Sequence, residues 1–163
     1  MRIRAATADD WPAIWPFLRE IVAAGETFTW DRDATEAATR PMWMLEPPGH
    51  TVVAVDDDDA TVLGTAKMNP NYMGGASHIA GASFMVDPGH AGRGVGRALG
   101  EHALDWARAQ GYRAMQFNAV VETNTAAVAL WRSLGFEVLA TLPEGFHHPQ
   151  QGYVGLHIMF RRL

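Results

Sequence analysis

The segment Val86-Asp87-Pro88-Gly89-His90-Ala91-Gly92-Arg93-Gly94-Val95-Gly96-Arg97-Ala98-Leu99 constrains this chain more than any other. A strand pattern, Ala80 to Val86, runs into it. A helix pattern, Val95 to Gln110, runs out of it, with Leu99, Ala103, Leu104 and Ala107 on the buried face and Gly111 as its stop. The first N–H groups of a helix have no intrahelical partner, and the helix dipole adds partial positive charge there. Glycines let backbone approach a ligand closely, and Arg93 and Arg97 add charge. The turn therefore predicts an anion site suited to a pyrophosphate. A P-loop would need Gly-Lys-Ser/Thr at the end of the turn, which is absent. A dinucleotide fingerprint would need an early strand and an acid ~20 residues on. Here several strands precede the turn, and Gln116 and Asn118 come first beyond the helix. From this segment alone, a glycine turn that binds nothing stays open.

The flanking patterns supply a fold. Ile3 to Ala6 reads as a strand. Thr7 ahead of Asp9, Asp10 and Pro12 is helix-start chemistry, and Trp11, Ile14, Trp15, Leu18, Ile21 and Val22 form one apolar helical face before Gly25. Ala34 to Trp43 is a second helix, and Glu46-Pro47-Pro48-Gly49 breaks the chain before the strands Thr51 to Val55 and Thr61 to Met68. The acids Asp56 to Asp59 between them read as a solvated hairpin tip, since they lack the spaced ligands and distal Glu of a calcium loop. Ala114 to Val120 is a strand, Thr125 to Leu134 a helix closed by Gly135, and Phe136 to Leu142 and Val154 to Phe160 are the last strands. This order is that of a mixed α/β domain on one central sheet, one domain over residues 1–163.

A chain of 163 residues buries a sizeable core. Its net charge of −5 lacks the broad basic footprint of a nucleic-acid binder. With no cysteine there is no disulfide, thiol nucleophile or Cys-ligated metal. No apolar run approaches the ~18 residues that span a bilayer, and Met1-Arg2-Ile3-Arg4-Ala5 has no signal-peptide core after its charges. The expectation is a soluble, cytoplasmic protein with neither nucleic-acid nor membrane partners.

Ala91-Gly92-Arg93-Gly94-Val95-Gly96 resembles the pyrophosphate motif Gln/Arg-x-x-Gly-x-Gly/Ala of the GNAT N-acetyltransferase superfamily, departing at Ala91. A second signature follows about thirty residues later: Asn124-Thr125-Ala126-Ala127-Val128-Ala129-Leu130-Trp131-Arg132-Ser133-Leu134-Gly135-Phe136. The resemblance implies a mixed α/β fold with a mostly antiparallel seven-stranded sheet, a splayed pair of strands and about four flanking helices. It implies acetyl-CoA as co-substrate, no metal, and a homodimer. Phe84, Met85 and Val86 would bond the pantetheine arm through their backbone. Gly92, Arg93, Gly94, Val95, Gly96 and Arg97 would hold the pyrophosphate. Asn124 would contact the CoA chain, with Trp131 on the same helix. An N–H near Met85 would serve the oxyanion.

Gly64-Thr65, Asn69-Pro70-Asn71-Tyr72, Ser77-His78, Phe117-Asn118 and Thr123-Asn124 are similar to a branch of that superfamily that acetylates proline-like amino acids such as azetidine-2-carboxylate. By that likeness Asn118 and Asn124 lie near the reacting groups, and Gly81 stands where the branch has a substrate asparagine. Where many relatives have a general-acid tyrosine this chain has Trp131, whose indole N–H is no useful proton source. Either Tyr72 or Tyr153 replaces it, or the thiolate leaves with help from hydrogen bonds alone, the reading favoured here. Glu122, beside Asn124, and His78 are the candidate bases, with water-relayed deprotonation as the alternative. Phe28 and Trp30 line an acceptor pocket or pack the helix connection onto the sheet. Trp11, Trp15 and Trp43 are packing residues. His147 and His148, in a loop from Pro143 to Gly152, line substrate or the surface, and without a third ligand they make no metal site. The expected function is N-acetylation of a small amine or amino acid. A catalytically silent acyl-CoA sensor is the alternative.

Overall fold

The computed structural model describes residues 1–57 and 60–163, so Asp58 and Asp59 of the expected acidic hairpin tip lie outside the described residues. In chain order the elements are β1 (Arg2–Ala5), α1 (Trp11–Ala24), α2 (Glu36–Trp43), β2 (His50–Val55), β3 (Val62–Pro70), β4 (Ile79–Val86), α3 (Val95–Ala109), β5 (Ala114–Val121), α4 (Thr125–Ser133), β6 (Glu137–His148) and β7 (Gly152–Arg162). The seven strands form one sheet in the order β1-β2-β3-β4-β5-β7-β6. Every neighbouring pair is antiparallel except β4 and β5. This is the mixed α/β, mostly antiparallel seven-stranded architecture with four helices that the resemblance implied.

Side chains alternate across the sheet, and each face carries its own core. Ala66 and Met68 of β3, Ala80 of β4, and Met115 and Phe117 of β5 pack with Leu99, Ala103 and Leu104 of α3 and Trp131 of α4. On the other face Val53, Val55 and Met85 pack with Trp11, Ile14 and Leu18 of α1 and Trp43 of α2. Strand β2 serves both cores, which is why its sequence runs apolar without alternating. Trp43 is fully buried, and its indole N–H donates to Thr65 Oγ1 at 3.1 Å, while that hydroxyl donates to Val52 O.

Strand β6 is longer than its sequence suggests. The stretch from Pro143 to Gly152 is not one loop, because pairing with β7 resumes at Phe146 and holds to His148. Register shifts at Val138/Ala140 and Leu142/Phe146 absorb Pro143, Glu144 (φ 52°) and Gly145 as a bulge. His148 is buried, and its Nδ1 accepts the N–H groups of Gln150 and Gln151 at the hairpin tip. His147 stacks on Tyr153 there, with ring centroids 4.6 Å apart.

The start of α1 is tied to β1 by a two-pronged ion pair. Arg4 donates Nη1 and Nη2 to the two Asp10 carboxylate oxygens, each at 2.8 Å. Asp10 also accepts the Thr7 N–H at 2.7 Å. The Arg4 guanidinium leads these contacts in lowering the Asp10 pKa from 3.8 to about 2, against the opposing effect of burial. A depressed carboxylate stabilises the fold above its unfolded value, and that contribution disappears as pH falls through the folded value. Thermal melts should therefore show wild-type stability falling between about pH 4 and pH 2. Asp10→Asn should have a lower Tm at pH 7 and a shallower fall across that window.

Candidate functional site

The single parallel pair decides where a ligand can lie. Strands β4 and β5 are paired only at Ile79–Ala114, Ala80–Met115 and Gly81–Gln116. Beyond Gly81 they diverge, and a cleft of about 560 Å³ opens between them. On the β5 side a register shift between Phe117 and Val120 places a bulge at Asn118 and Ala119, a device that re-aims backbone beside functional clefts.

Backbone groups alternate in direction along a strand. The Asp87 N–H reaches Leu63 O of the β3 side at 3.0 Å, and β3 and β4 stay in register from Gly64–Val86 to Pro70–Ala80. Met85, two residues before Asp87, therefore turns its N–H and C=O toward β3. Phe84 and Val86 turn theirs toward the gap, where no strand pairs with them. The Met85 N–H thus belongs to the β3 ladder, and the neighbouring Phe84 N–H faces the cleft. The Met85 side chain packs in the α1–α2 core.

The glycine turn lies at the end of β4. Gly92 and Gly94 each have φ 78°, with Gly94 as the residue before α3. These are left-handed positions that glycine fills without steric cost. Val95, Gly96 and Arg97 form the open first turn, with N–H groups that lack helical partners. Gly96 has a packing reason instead, since a Cβ there would come 3.3 Å from Leu130 Cδ2. The two arginines are differently placed. Arg93 Nη1 lies 3.1 Å from His90 Nδ1, whereas Arg97 donates to Ser133 Oγ of α4 at 2.8 Å.

Asn124, Ala127 and Trp131 close one side of the cleft. Asn124 caps α4 through Oδ1, which accepts the Ala127 N–H at 3.3 Å. Trp131 packs on Phe84 and Phe117, with centroids 4.7 and 4.9 Å away. The opposite side is built by Phe28 and Trp30 from the α1–α2 connection, both leaning on Trp43. For these two aromatics, lining and packing are both true. Asn118 also lines the cleft and exchanges two hydrogen bonds with Asn71, of 3.0 and 2.7 Å. A Cβ at Gly81 would lie 2.8 Å from Asn71 Oδ1, so the Asn71 amide occupies the space a side chain at 81 would need.

Other expected residues lie elsewhere. Glu122 does not line the cleft: it is exposed, and its Oε1 accepts the Gly155 N–H of β7. His78 is exposed before β4, its carbonyl bonded by the Arg113 N–H. Tyr72 is exposed and accepts from Gln116 Nε2 at 2.8 Å, and Tyr153 is at the β6–β7 tip. Lys67, which no sequence motif singles out, is among the described residues the one charged side chain lining the cleft. It is half-buried on β3, and burial pushes its ammonium below the ordinary value. Among the described residues no carboxylate, imidazole or phenol joins it there. Among the described residues, no group of three or more His, Asp or Glu side chains is placed to hold a metal.

Residues 15–136 match the family model described as the Acetyltransferase (GNAT) family. The chain belongs to the GNAT acetyltransferase family. A solved GCN5-related N-acetyltransferase from Kribbella flavida is 57% identical with a TM-score of 0.96, covering 99% of this chain and 97% of that one. The structure of yncA from Salmonella typhimurium with its cofactor acetyl-CoA is 26% identical with a TM-score of 0.86, covering 100% of this chain and 94% of that one. Among curated relatives, N-acetyltransferase aca1 of Schizosaccharomyces pombe is 33% identical over 69% of this chain, which spans 54% of that protein's length. The L-amino acid N-acyltransferase MnaT of Escherichia coli is 30% identical over 88% of this chain and 84% of its own.

The glycine turn offers a direct test. An alanine at 94 must adopt a left-handed conformation costing about 1–2 kcal/mol. Gly94→Ala should weaken acetyl-CoA binding by tenfold or more in calorimetry while the far-UV spectrum stays that of the wild type. Gly75→Ala, at a glycine with open space and ordinary φ, should bind as the wild type does.

Proposed function

We propose that this protein is an acetyl-CoA-dependent N-acetyltransferase acting on a small amine or amino acid by direct attack on the thioester. The observation that carries the reading is the pairing of two unsatisfied backbone arrays along one cleft. Phe84 and Val86 present unpaired N–H and C=O groups, which suit the amides of a pantetheine arm. The first turn of α3 presents N–H groups and dipole charge, which suit its pyrophosphate. Acetyl-CoA supplies the acetyl group as an activated thioester. The name of the E. coli relative supports an amino-acid acceptor.

The chain's own groups then divide the work. Phe28 and Trp30 wall the acceptor in, so that its amine meets the carbonyl at the splay. The N–H of Phe84 stabilises the negative charge that develops on the carbonyl oxygen. The C–N bond forms, the C–S bond breaks, and the thiolate leaves without a side-chain acid, since neither Tyr72 nor Tyr153 lines the cleft. Water entering the open cleft takes the ammonium proton before attack and the second nitrogen proton after it, as among the described residues no carboxylate or imidazole lines the cleft.

The experiment is release of free CoA from acetyl-CoA against single amines: the common amino acids, azetidine-2-carboxylate, polyamines, aminoglycosides and peptide N-termini. Turnover with an amino acid is the expected result. Normal acetyl-CoA binding with no turnover on any amine would favour a silent acyl-CoA sensor. Azetidine-2-carboxylate belongs in the panel because Asn71 fills the space beside Gly81 and lies against Asn118. Glu122→Gln should keep kcat within about threefold of wild type, far from the 10²–10⁴ loss of a general base. Its effect should appear instead as a lower Tm, from the weakened bond to Gly155.

A further inference from the structure

We infer that Lys67, with Ser83 directly across from it, is a carboxylate anchor that makes the acceptor an anionic or zwitterionic amine such as a free amino acid. This rests on the acetyltransferase reading above and deepens it by naming what the acceptor half of the cleft recognises.

Strand parity separates the two halves of the cleft. Ala66 and Met68 point to the α3–α4 core, so Lys67 between them points to the α1–α2 face. Phe84 packs with the α3–α4 core and Met85 is in the other, so Ser83 shares the face of Lys67. Lys67 and Ser83 are cross-strand partners, which sets their Cβ atoms about 4.5–5.5 Å apart. The acetyl-CoA groups proposed above lie on the α3–α4 side or in the gap itself. Lys67 and Ser83 therefore look at whatever enters from the α1–α2 side.

Lys67 is held but not neutralised. Its Nζ donates to Met42 O at 2.7 Å and lies 5.2 and 5.6 Å from the ring centroids of Trp30 and Trp43. Among the described residues no carboxylate pairs with it, and the Ser83 hydroxyl has no partner. An ammonium has three donors, so two remain for a ligand. A half-buried cation without a counter-ion carries a desolvation cost that a bound carboxylate relieves. Among the described residues no acid lines the cleft to receive a second ammonium, so a polyamine or aminoglycoside would meet like charge. With its carboxylate at Lys67, an α-amino acid would present its α-amine, borne on the next carbon, to the rest of the cleft.

A competing account has Lys67 merely bonding the last carbonyls of α2. The acid-versus-amide ratio separates the two, because a structural role would lower both substrates alike. kcat/KM is measured for each L-amino acid and its carboxamide with wild type, Lys67→Met and Lys67→Arg, and acetyl-CoA affinity and Tm are measured for each variant. For the best acid, wild type should prefer acid over amide by at least tenfold. Lys67→Met should lose that preference through KM, keep acetyl-CoA affinity within about twofold, and lower kcat/KM far less for the amide than for the acid. Lys67→Arg should restore most of the preference. Equal use of acid and amide by wild type, a preference for polyamines, or an unchanged ratio in Lys67→Met would overturn the anchor while leaving the transferase standing. If no amine turns over, the transferase reading fails, and ligand-observed NMR with the same acids decides the anchor alone. Acid binding that Lys67→Met abolishes upholds it, and no acid binding to wild type removes it.

Discussion

Everything at the cleft depends on a parallel pairing that stops after three residue pairs. Had β4 and β5 paired along their full lengths, the N–H and C=O groups of Phe84 and Val86 would be spent on the sheet. Because pairing ends at Gly81–Gln116, those groups are exposed in the middle of an otherwise continuous seven-stranded sheet. Buried backbone polar groups are almost always paired, so an unpaired stretch in the sheet's centre needs water or a ligand. The register shift at Asn118 and Ala119 keeps β5 bonded to β7 while it bends away from β4. The opening thus costs the sheet few hydrogen bonds on its far side.

The two cores give the cleft its chemical asymmetry. The α3–α4 face brings a helix N-terminus, the Asn124 cap and the Trp131 cluster. In the proposed function those groups meet an anionic and amide-rich chain. The α1–α2 face brings Phe28, Trp30 and Trp43 around Lys67, with Asn71, Gln116 and Asn118 forming an amide network at the edge. In the proposed function those groups meet a small polar acceptor. Side-chain alternation on β3, β4 and β5 separates the two sets, so one strand can serve both substrates with alternate residues.

What the sequence disclosed follows the range of each interaction. The glycine turn was legible because a positive φ and a helix start are local demands. So was the two-motif pattern, and with it the family and the sheet. The length of β6 was not, because Pro143 and Gly145 read as loop breakers when they occupy a bulge. Glu122 was drawn to the site by its sequence neighbour Asn124, yet its partner Gly155 is 33 residues away and faces elsewhere. The register that turns the Met85 N–H toward β3 emerges only when strands pair. Lys67 carries a local signal: it is a lone cation inside Val62-Leu63-Gly64-Thr65-Ala66-Lys67-Met68, an otherwise apolar or small strand sequence. Such a residue invites the question of what it faces.

The central claim is that the unpaired backbone of β4 and the first turn of α3 jointly receive acetyl-CoA. Residue-resolved amide hydrogen exchange, with and without acetyl-CoA, tests it most directly. The account predicts marked slowing at Phe84 and Val86 and at Val95 to Arg97 on addition of acetyl-CoA. Met85, already bonded to β3, should be protected in both states. Unchanged exchange at Phe84 and Val86 under saturating acetyl-CoA, or protection that appears at Met85 instead, would contradict it.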